Sequence, residues 1–584
     1  MGRKIEKGNQ IKKISQRVML ATLASSIVMA PTLSASATTS SDTTSTKSAI
    51  STTSTTAAAV SLTATTSIAS SAVSILDSEG WLESANVEWS AASNATGYDV
   101  YYKSASASDS EYKQLDNQLI RKYSSYYRAD VLGIAEGNYV MKIVPIISSK
   151  EDTSAQSITK TLSVKANKRE GFAFSSASPM GTGSGGYNDD GTVSSNAQIL
   201  YITAGNVNTV TANVITNSKG TKTACTGLAD ILAKRQKGYD KTPLIIRMVG
   251  EIKASNITGL NSNGYLEVKG CYNVTLEGVG EDTTVYGWGI LVRNSHNVEI
   301  KNLGVMLFPD DGISLDTDNQ NIWVHNNDIF YGAAGSDADQ VKGDGSCDVK
   351  LSDYVTVSYN RFHDSGKSSL CGMSDTADFH VTYHHNWFDH SDSRHPRIRV
   401  GTVHVYNNYF DGNAKYGVGV TKGSSAFVEA NYFRNCKDPM LSSLQGTDIK
   451  DGAVGGFSGE DGGMIKAYNN KIQGASSLVY ASDNATQFDA YLATSRNEAV
   501  PSKYKTVSGG TTYNNFDTST SMYKYTPDAP EDVESNVTTY AGRVNGGDLI
   551  WNFTNADDTS SNMDANLMAK LKGYESALVS VGGK

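Results

Sequence analysis

Several residue types are scarce in this 584-residue sequence, and each shortage excludes a class of protein. Five cysteines are too few, and odd in number, to build a disulfide framework, so at least one thiol is free within a monomer. Ten prolines beside 53 glycines, with 39% hydrophobic and 19% charged residues, exclude a disordered chain and argue against helical bundles. The composition is that of a β-rich secreted protein.

Basic residues are in the minority. Fifty-one Lys and Arg stand against 60 Asp and Glu, which gives a net charge of -9 and a pI near 5.6. This balance argues against general nucleic-acid binding and against attraction to anionic membranes, so an anionic ligand would need a local basic patch. The length is roughly three to four times that of a usual domain, which predicts several domains or one large repeat array.

The N-terminal region has the pattern of an export signal. A basic stretch ends at Arg17, an apolar run follows over residues 18–33, and Ala35-Ser36-Ala37 forms a cleavage pattern. We therefore predict a signal peptide at 1–37 and a secreted, extracellular protein that has no membrane contact after cleavage. Residues 38–71 are almost all Ser, Thr and Ala, which predicts a flexible linker that cannot bury a core.

Residues 72–165 show the alternation of apolar and polar residues that is typical of short strands, for example at Val87 and Trp89. Such strands separated by polar turns predict a small β-sandwich. The strings VEWSAASNATGYDVYY and LGIAEGNYVMKI resemble a fibronectin type III module. The module contains no cluster that suggests catalysis, so we interpret it as a spacer that is dispensable for chemistry.

Residues 166–584 contain an internal repeat of an Asn followed by aromatic residues. Its copies begin at Asn360, Asn386, Asn408 and Asn431, with spacings of 26, 22 and 23 residues. A period in this range indicates a solenoid, and the alternating segments before the first three copies make each coil strand-rich. The pattern predicts a right-handed parallel β-helix, with Asn side chains stacked at the turns and aromatic side chains stacked inside. Leucine-rich repeats share the period, but a Leu ladder is missing.

Carboxylates occur in two neighbouring repeats, so a coil would bring them together. Asp310 and Asp311 lie in one repeat, and Asp344 and Asp348 lie in the next. In an extended strand Asp344 and Asp348 would share a face. Hard oxygen ligands gathered without a compensating base suit Ca²⁺, although turn aspartates are also common in acidic secreted proteins.

Basic residues follow within the same few repeats. Lys367 comes first, and the string RHPRIR then supplies Arg394, Arg397 and Arg399, the last two alternating onto one strand face after Pro396. Guanidinium groups packed this closely repel one another unless an anion lies between them. A cation site beside such a cluster predicts binding of a polymeric carboxylate, in which Arg397 and Arg399 both contact substrate.

The strings WVHNN, DGSCDVKLSDYVTVSYNRFHDSGKSSLCG and RHPRIRVGTVHVYNNYF resemble polysaccharide lyase family 1, the extracellular pectate lyases. The resemblance implies Ca²⁺ as the cofactor, with ligands at Asp344, Asp348 and Asp311, and with Asp310 as an alternative to Asp311. It also implies substrate clamps at Lys367 and Arg399 and a proton-abstracting base at Arg394.

The implied reaction is β-elimination on polygalacturonate, which yields 4,5-unsaturated oligogalacturonides. A polygalacturonase-type hydrolase is one alternative, but its G-H-G element is absent from the sequence. A non-catalytic pectin-binding adhesin is another, but binding alone does not require Lys367, Arg394 and Arg399 together. We expect a monomer that binds plant cell-wall pectate and no nucleic acid.

Overall fold

The computed structural model describes residues 72–335, 340–373, 379–452, 456–520 and 522–583. The predicted signal peptide at 1–37 and the predicted linker at 38–71 lie outside these residues. None of the helices in the described ranges combines the length and the apolar character that a membrane span needs.

Two antiparallel sheets form a β-sandwich at the start of the described chain. The strands are β1 Ile75–Gly80, β2 Ser84–Trp89, β3 Gly97–Ser104, β4 Lys113–Gln114, β5 Ile120–Tyr123, β6 Tyr127–Leu132, β7 Gly137–Ile147, β8 Lys150–Glu151, β9 Ser157–Ile158 and β10 Leu162–Val164. Their orders in the two sheets are β1-β2-β6-β5 and β10-β7-β3-β4. Val87, Trp89, Val100 and Met141 fill the space between the sheets and are fully buried, as the alternation of apolar residues predicts.

The following residues form a parallel β-helix with three faces, which confirms the predicted fold class. Its strands, with one separate hairpin (β12 and β13), are β11 Gln198–Ile202, β12 Thr211–Ile215, β13 Lys222–Thr226, β14 Leu244–Lys253, β15 Tyr265–Lys269, β16 Tyr272–Tyr286, β17 Gly289–Arg293, β18 His296–Lys301, β19 Gly304–Met306, β20 Ile313–His325, β21 Asp328–Ile329, β22 Cys347–Ser358, β23 Arg361–His363, β24 Leu370–Cys371, β25 His380–His384, β26 Trp387–Asp389, β27 Arg397–Arg399, β28 Thr402–Tyr406, β29 Tyr409–Asp411, β30 Val418–Thr421, β31 Ser425–Glu429, β32 Tyr432–Arg434, β33 Met440–Ser442, β34 Met464–Tyr468, β35 Lys471–Gln473 and β36 Tyr491–Leu492.

Each coil contributes to three parallel sheets in turn. Sheet 1 contains β24, β27, β30 and β33, sheet 2 contains β25, β28, β31 and β34, and sheet 3 contains β23, β26, β29 and β32. The long strands β20 and β22 bend and serve both sheet 1 and sheet 2. The chain therefore passes from sheet 3 into sheet 1 once in every coil.

The Asn repeat stacks at the turn between sheets 2 and 3. The side-chain amide of Asn360 donates to Oδ1 of Asn386 at 3.1 Å, Asn386 donates to Asn408 at 2.9 Å, and Asn408 donates to Asn431 at 3.0 Å. These bonds satisfy polar groups that are buried at the turn. The predicted Asn ladder is therefore present.

The aromatic residue two positions after each Asn points into the coil. Phe362, Phe388, Phe410 and Phe433 form a continuous stack, with ring centroids 5.0, 5.1 and 4.1 Å apart. The stack lies inside the main hydrophobic core of the β-helix. Repeated burial of the same ring type in consecutive coils stabilises neighbouring coils against each other.

The α-helices of the described residues are α1 Leu228–Arg235, α2 Val533–Tyr540 and α3 Ala565–Lys572. The last two cover sheet 3. Val533 and Val537 of α2 pack against Tyr409 and Tyr432 of sheet 3, and α3 packs against Phe330 at the same face. α1 instead packs into the core at the first coils. This arrangement leaves the groove beside sheet 1 accessible.

The sandwich packs against the β-helix through a shared core, whereas the sequence analysis interpreted it as a spacer. Tyr201, Val249 and Val279 of the β-helix belong to the buried core of the sandwich. Strand β37, Leu578–Val581, returns from the far end of the chain and pairs antiparallel with β5. The sandwich and the β-helix therefore share a core, and β37 adds a fifth strand to one sheet of the sandwich.

Candidate active site

Most of the residues singled out from the sequence lie on the turns that connect sheet 3 to sheet 1, whereas Asp348 lies in β22 and Arg397 and Arg399 lie in β27. Asp310 and Asp311 precede β20, Asp344 precedes β22, Lys367 precedes β24, and Arg394 precedes β27. The coil thus brings four segments that are distant in sequence to one edge of the β-helix.

Backbone hydrogen bonds hold these turns in register. The Ser346 amide donates to the Lys367 carbonyl at 3.0 Å, and the Ser369 amide donates to the Arg394 carbonyl at 2.7 Å. Neighbouring parallel strands lie about 4.8 Å apart. The acidic turn, Lys367 and Arg394 therefore occupy consecutive coils.

Three carboxylates from the first two of these turns converge. Asp310, Asp311 and Asp344 each offer an oxygen atom within 4.8 Å of the others. The structure therefore brings both alternatives, Asp310 and Asp311, close to Asp344. Asp348 lies beside them, on the other side of Gly345. A Cβ added to Gly345 would collide with Asp348 Oδ1 and would lie 2.8 Å from Asp311 Oδ1. Only glycine fits between these two carboxylates.

The expected extended strand over residues 344–348 is wrong. β22 begins at Cys347, so Asp344 lies in the bend before the strand and alternation does not relate it to Asp348. The Asp348 carboxylate is held separately, since its Oδ1 accepts a hydrogen bond from the Leu370 amide at 2.9 Å. A turn, rather than a strand face, brings Asp344 to the cluster.

A lysine that the sequence reasoning missed lies between the carboxylates. The Lys350 ammonium contacts Asp311 and lies 3.4 Å from Asp348 Oδ2. Burial opposes its charge, but Asp348 and Asp311 raise the pKa of Lys350. The expectation that no base compensates the carboxylates is therefore wrong. The available signal was parity, because Lys350 is two residues after Asp348 and shares its strand face.

The donor set fits a hard divalent cation. Burial, and then the neighbouring charge of Asp348, raise the pKa of Asp311 to about 7. A cation beside the carboxylate stabilises its ionised form, and within the protein the Lys350 ammonium is such a cation. Oxygen atoms from several carboxylates are the ligands that Ca²⁺ prefers. Asp310, Asp311, Asp344 and Asp348 are therefore the residues that could hold calcium.

Lys367 and Arg394 lie on the two coils beyond the carboxylates. Lys367 is buried except for 8% of its surface, and its ammonium lies 3.2 Å from Asp344 Oδ1. Arg394 has a left-handed backbone with φ of 63°, which is costly for a residue with a side chain. Its side chain is partly exposed and lines a cavity of about 480 Å³ together with Lys367 and Arg397.

His395 anchors the turn that carries Arg394. Its Nδ1 donates to the Tyr416 carbonyl at 2.7 Å, and the His395–Pro396 peptide is cis. Burial lowers the pKa of His395 to about 3, so the ring is neutral. The Tyr416 ring in turn lies beside Arg394 and Arg397. A buried, neutral support thus fixes the position of the Arg394 backbone.

Arg397 and Arg399 point out of the same face of β27, and Ile398 between them is buried on the opposite face, as alternation predicts. Between them lies Glu460, whose carboxylate is 2.7 Å from Arg399 Nη2 and 3.5 Å from Arg397 Nη2. The anion expected between the arginines is therefore supplied by the protein itself.

The sequence reasoning missed Glu460 because it lies outside the repeat. The interval from Asn431 to Asn470 is 39 residues, and the loop between β33 and β34 accounts for the excess over the other coils. That break in spacing was the one available signal.

Residues 197–545 match the sequence profile of the pectate lyase family. This chain belongs to the pectate lyase family. The matched range contains every carboxylate and basic residue of the candidate site and begins after the β-sandwich.

Relatives of this pectate lyase family member cover part of the chain. It is 36% identical over 228 residues to a pectate trisaccharide-lyase of Bacillus licheniformis, a match that spans 38% of this chain and 64% of the relative. It is 32% identical over 240 residues to pectate lyase B of Dickeya chrysanthemi, which spans 38% of this chain and 63% of the relative. The chain thus spans less than two thirds of the length of either relative.

Among solved structures, a pectate lyase from Bacillus sp. N165 in complex with trigalacturonate is similar, with a TM-score of 0.44 and 22% identity over 64% of this chain and 98% of that one. Pectate lyase C from Erwinia chrysanthemi with Ca²⁺ at pH 9.5 has a TM-score of 0.40 and 22% identity, over 61% of this chain and 95% of that one.

Proposed function

We propose that this protein is a secreted, calcium-dependent pectate lyase that cleaves demethylated polygalacturonate by β-elimination. One observation carries the proposal: a carboxylate cluster, Lys367 and Arg394 lie on consecutive coils at the same edge of the β-helix. A cation site beside stacked bases suits a polymer that carries one carboxylate per sugar. Membership of the pectate lyase family and the names of the relatives support the same substrate.

Arg394 is the proposed base. It removes the proton at C5 of a galacturonosyl unit, the C5–H electron pair forms the C4=C5 double bond, and the C4–O4 bond breaks. The departing oxygen takes a proton from solvent. Because a guanidinium is ordinarily protonated, this role predicts activity that rises toward alkaline pH.

Lys367, Arg397 and Arg399 are the proposed contacts to the sugar carboxylates. Lys367 already lies 3.2 Å from Asp344, so a substrate carboxylate bound there would share the ammonium with the acidic cluster. Arg397 and Arg399 are held by Glu460, so a substrate carboxylate would share these guanidinium groups or displace Glu460. Fixed cationic groups of this kind stabilise negative charge as it develops on the substrate.

Asp344, Asp348 and Asp311 or Asp310 are the proposed calcium ligands. When bound there, calcium would offset the negative charge of the C6 carboxylate and so make the adjacent C5 proton more acidic. Lys350 would then exchange its contact with Asp311 for one with solvent or substrate.

The N-terminal parts complete the proposal. Residues 1–37 would direct secretion, residues 38–71 would form a linker, and the sandwich over residues 72–165 would be a module of the fibronectin type III kind. Its packing against the β-helix supports a structural role for it.

The test is an assay on polygalacturonate that follows both the absorbance of unsaturated uronide and the number of reducing ends, in calcium and in chelator. A lyase gives both signals in calcium and neither in chelator. Reducing ends without absorbance would indicate a hydrolase, and binding without either signal would indicate an adhesin.

A further inference from the structure

We propose that Lys342 is a positioning residue for the reaction, because its buried ammonium ties together the three turns that carry the cation site, the substrate clamp and the base. Those turns contain Asp344, Lys367 and Arg394. Lys342 acts through these residues rather than on the substrate. The inference rests on the proposed function, since it concerns the alignment of the residues proposed for that reaction.

Lys342 bridges two carboxylates that belong to consecutive coils. Only 3% of its surface is exposed, and 4% of that of Asp364 and of Asp392. The Lys342 ammonium donates to Asp364 Oδ1 at 2.5 Å and to Asp392 Oδ1 at 2.7 Å. Asp364 directly follows β23, and Asp392 lies shortly after β26 in the next coil. One buried ammonium on the turn before β22 therefore holds the two turns that come after it.

Each member of this bridge lies close in sequence to a residue of the candidate site. The bridged residues come two or three positions ahead of the site residues, Lys342 before Asp344, Asp364 before Lys367, and Asp392 before Arg394. Three residues of fully extended chain span at most about 10 Å. A displacement of a bridged group therefore shifts the site residue on the same turn.

All four oxygen atoms of the two carboxylates are engaged. The second oxygen of Asp364 accepts a hydrogen bond from the Tyr331 hydroxyl, and the second oxygen of Asp392 lies 3.3 Å from the Lys415 ammonium. Apolar side chains of similar volume often stabilise a core as well as buried charges do, so stability alone does not account for the bridge. A fully bonded polar network instead fixes one geometry.

Other bonds between these turns do not involve the Lys342 side chain. The Asp392 amide donates to the Ser365 carbonyl at 2.7 Å, and the Ser393 hydroxyl donates to the Gly366 carbonyl at 2.9 Å. The Ser365 hydroxyl lies 2.6 Å from that of Ser346. These bonds remain when the ammonium is removed. Loss of the bridge should therefore loosen the alignment of the turns without unfolding the coil.

The main experiment compares Lys342→Met with a matched control, Lys466→Met. Lys466 is also completely buried and donates to Asp517 Oδ2 at 2.7 Å, but it lies in sheet 2. Both variants should melt at a lower temperature than wild type, because each leaves a buried carboxylate without its cation. Only Lys342→Met should lower kcat on polygalacturonate in saturating calcium, by roughly tenfold to 100-fold, with KM changed by less than about threefold. A kcat equal to that of the control would overturn the proposal.

A variant without any of the three charges separates alignment from stability. Lys342→Met combined with Asp364→Asn and Asp392→Asn leaves no unpaired charge at the bridge, so its melting temperature should return toward that of wild type. Its kcat should stay low, because neutral side chains do not restore the ammonium bridge. Recovery of kcat together with the melting temperature would show that Lys342 only stabilises the fold. This variant also decides the question if Lys342→Met alone does not fold.

Hydrogen exchange distinguishes failure of this inference from failure of the proposed function. Backbone amides at residues 364–369 and 392–396 should exchange faster in Lys342→Met and in the charge-free variant than in wild type, and Lys466→Met should not change them. A wild-type protein without lyase activity would refute the proposed function, yet exchange would still show whether Lys342 holds the turns. Unchanged exchange in both Lys342 variants would overturn the positioning role.

Discussion

Glu460 lies 2.7 Å from Arg399 and 3.5 Å from Arg397, so one protein carboxylate bridges both arginines of β27. A substrate carboxylate must compete with it. Glu460→Gln removes the competing charge but keeps the shape, so we expect KM for polygalacturonate to fall about threefold. Steady-state kinetics would measure this, with Glu498→Gln as a control outside the groove. A rise in KM would mean that Glu460 instead holds the arginines in their binding geometry.

Arg394→Lys tests the base. The substitution keeps the positive charge, so a residue that only binds carboxylate would mainly change KM. As a base, its replacement should lower kcat about 100-fold or more with little change in KM. Near-normal kcat in this variant would exclude Arg394 as the base, but it would not change the proposed substrate.

The carboxylates and Lys350 should have opposite effects on calcium. Asp344→Ala and Asp348→Ala each remove a charged oxygen ligand, so more calcium should be needed for activity. Lys350→Met removes an ammonium that contacts Asp311, so calcium should bind more tightly in a titration without substrate. Weaker calcium binding by Lys350→Met would show that the lysine supports the cation site rather than competing for it.

The sandwich should be needed for stability. Arg128 of β6 lies 2.7 Å from Glu281 of β16, and Tyr123 donates to Asp282 at 3.0 Å across the same interface. Removal of residues 72–165 would expose Val249 and Val279 to water. We therefore expect a protein that begins at residue 166 to unfold at a markedly lower temperature than one that begins at residue 72.

A point variant tests the same interface. Glu281→Gln leaves Arg128 buried without one of its partners, a change that typically costs about 3–5 kcal/mol. Arg128 keeps contacts to Glu88 and Asp130, so the loss should fall at or below the lower end of that range. Calorimetric melting would measure it, and an unchanged transition in both variants would contradict the structural role.

Buried histidines should make the fold sensitive to acid. Burial lowers the pKa of His385 to about 4 and that of His395 to about 3, and it also lowers the pKa of His384 and His404. In the unfolded chain these groups take up protons near pH 6.5, whereas in the folded protein they do not. The free energy of unfolding should therefore fall as the pH drops from about 6.5 toward 4. Denaturant titrations at several pH values would measure it, and constant stability over that interval would contradict the prediction.

The architecture was predictable from the sequence because it repeats. Asn360, Asn386 and Asn408 recur with the Phe that follows each of them, so one coil explains the next. The position of Asp344 was not predictable in this way, because the residue at which β22 begins depends on the conformation of one turn. Alternation could not reveal that Asp344 lies before the strand rather than on its face.

Contacts from outside the repeat could not be predicted. Glu460 and Phe457 belong to a loop that has no counterpart in the other coils, so no neighbouring copy indicates where they lie. The pairing of β37 with β5 joins segments from opposite ends of the chain, and neither segment contains a local signal of the other. Long-range pairing of this kind depends on the complete tertiary structure.

That pairing has a consequence for the order of synthesis. β5 is made early, but one of its edges stays open until residues 578–581 leave the ribosome. An unpaired strand edge is a template for association with other chains. A chain that lacks residues 578–581 therefore presents an open strand edge in the sandwich, and pairing with β37 covers that edge.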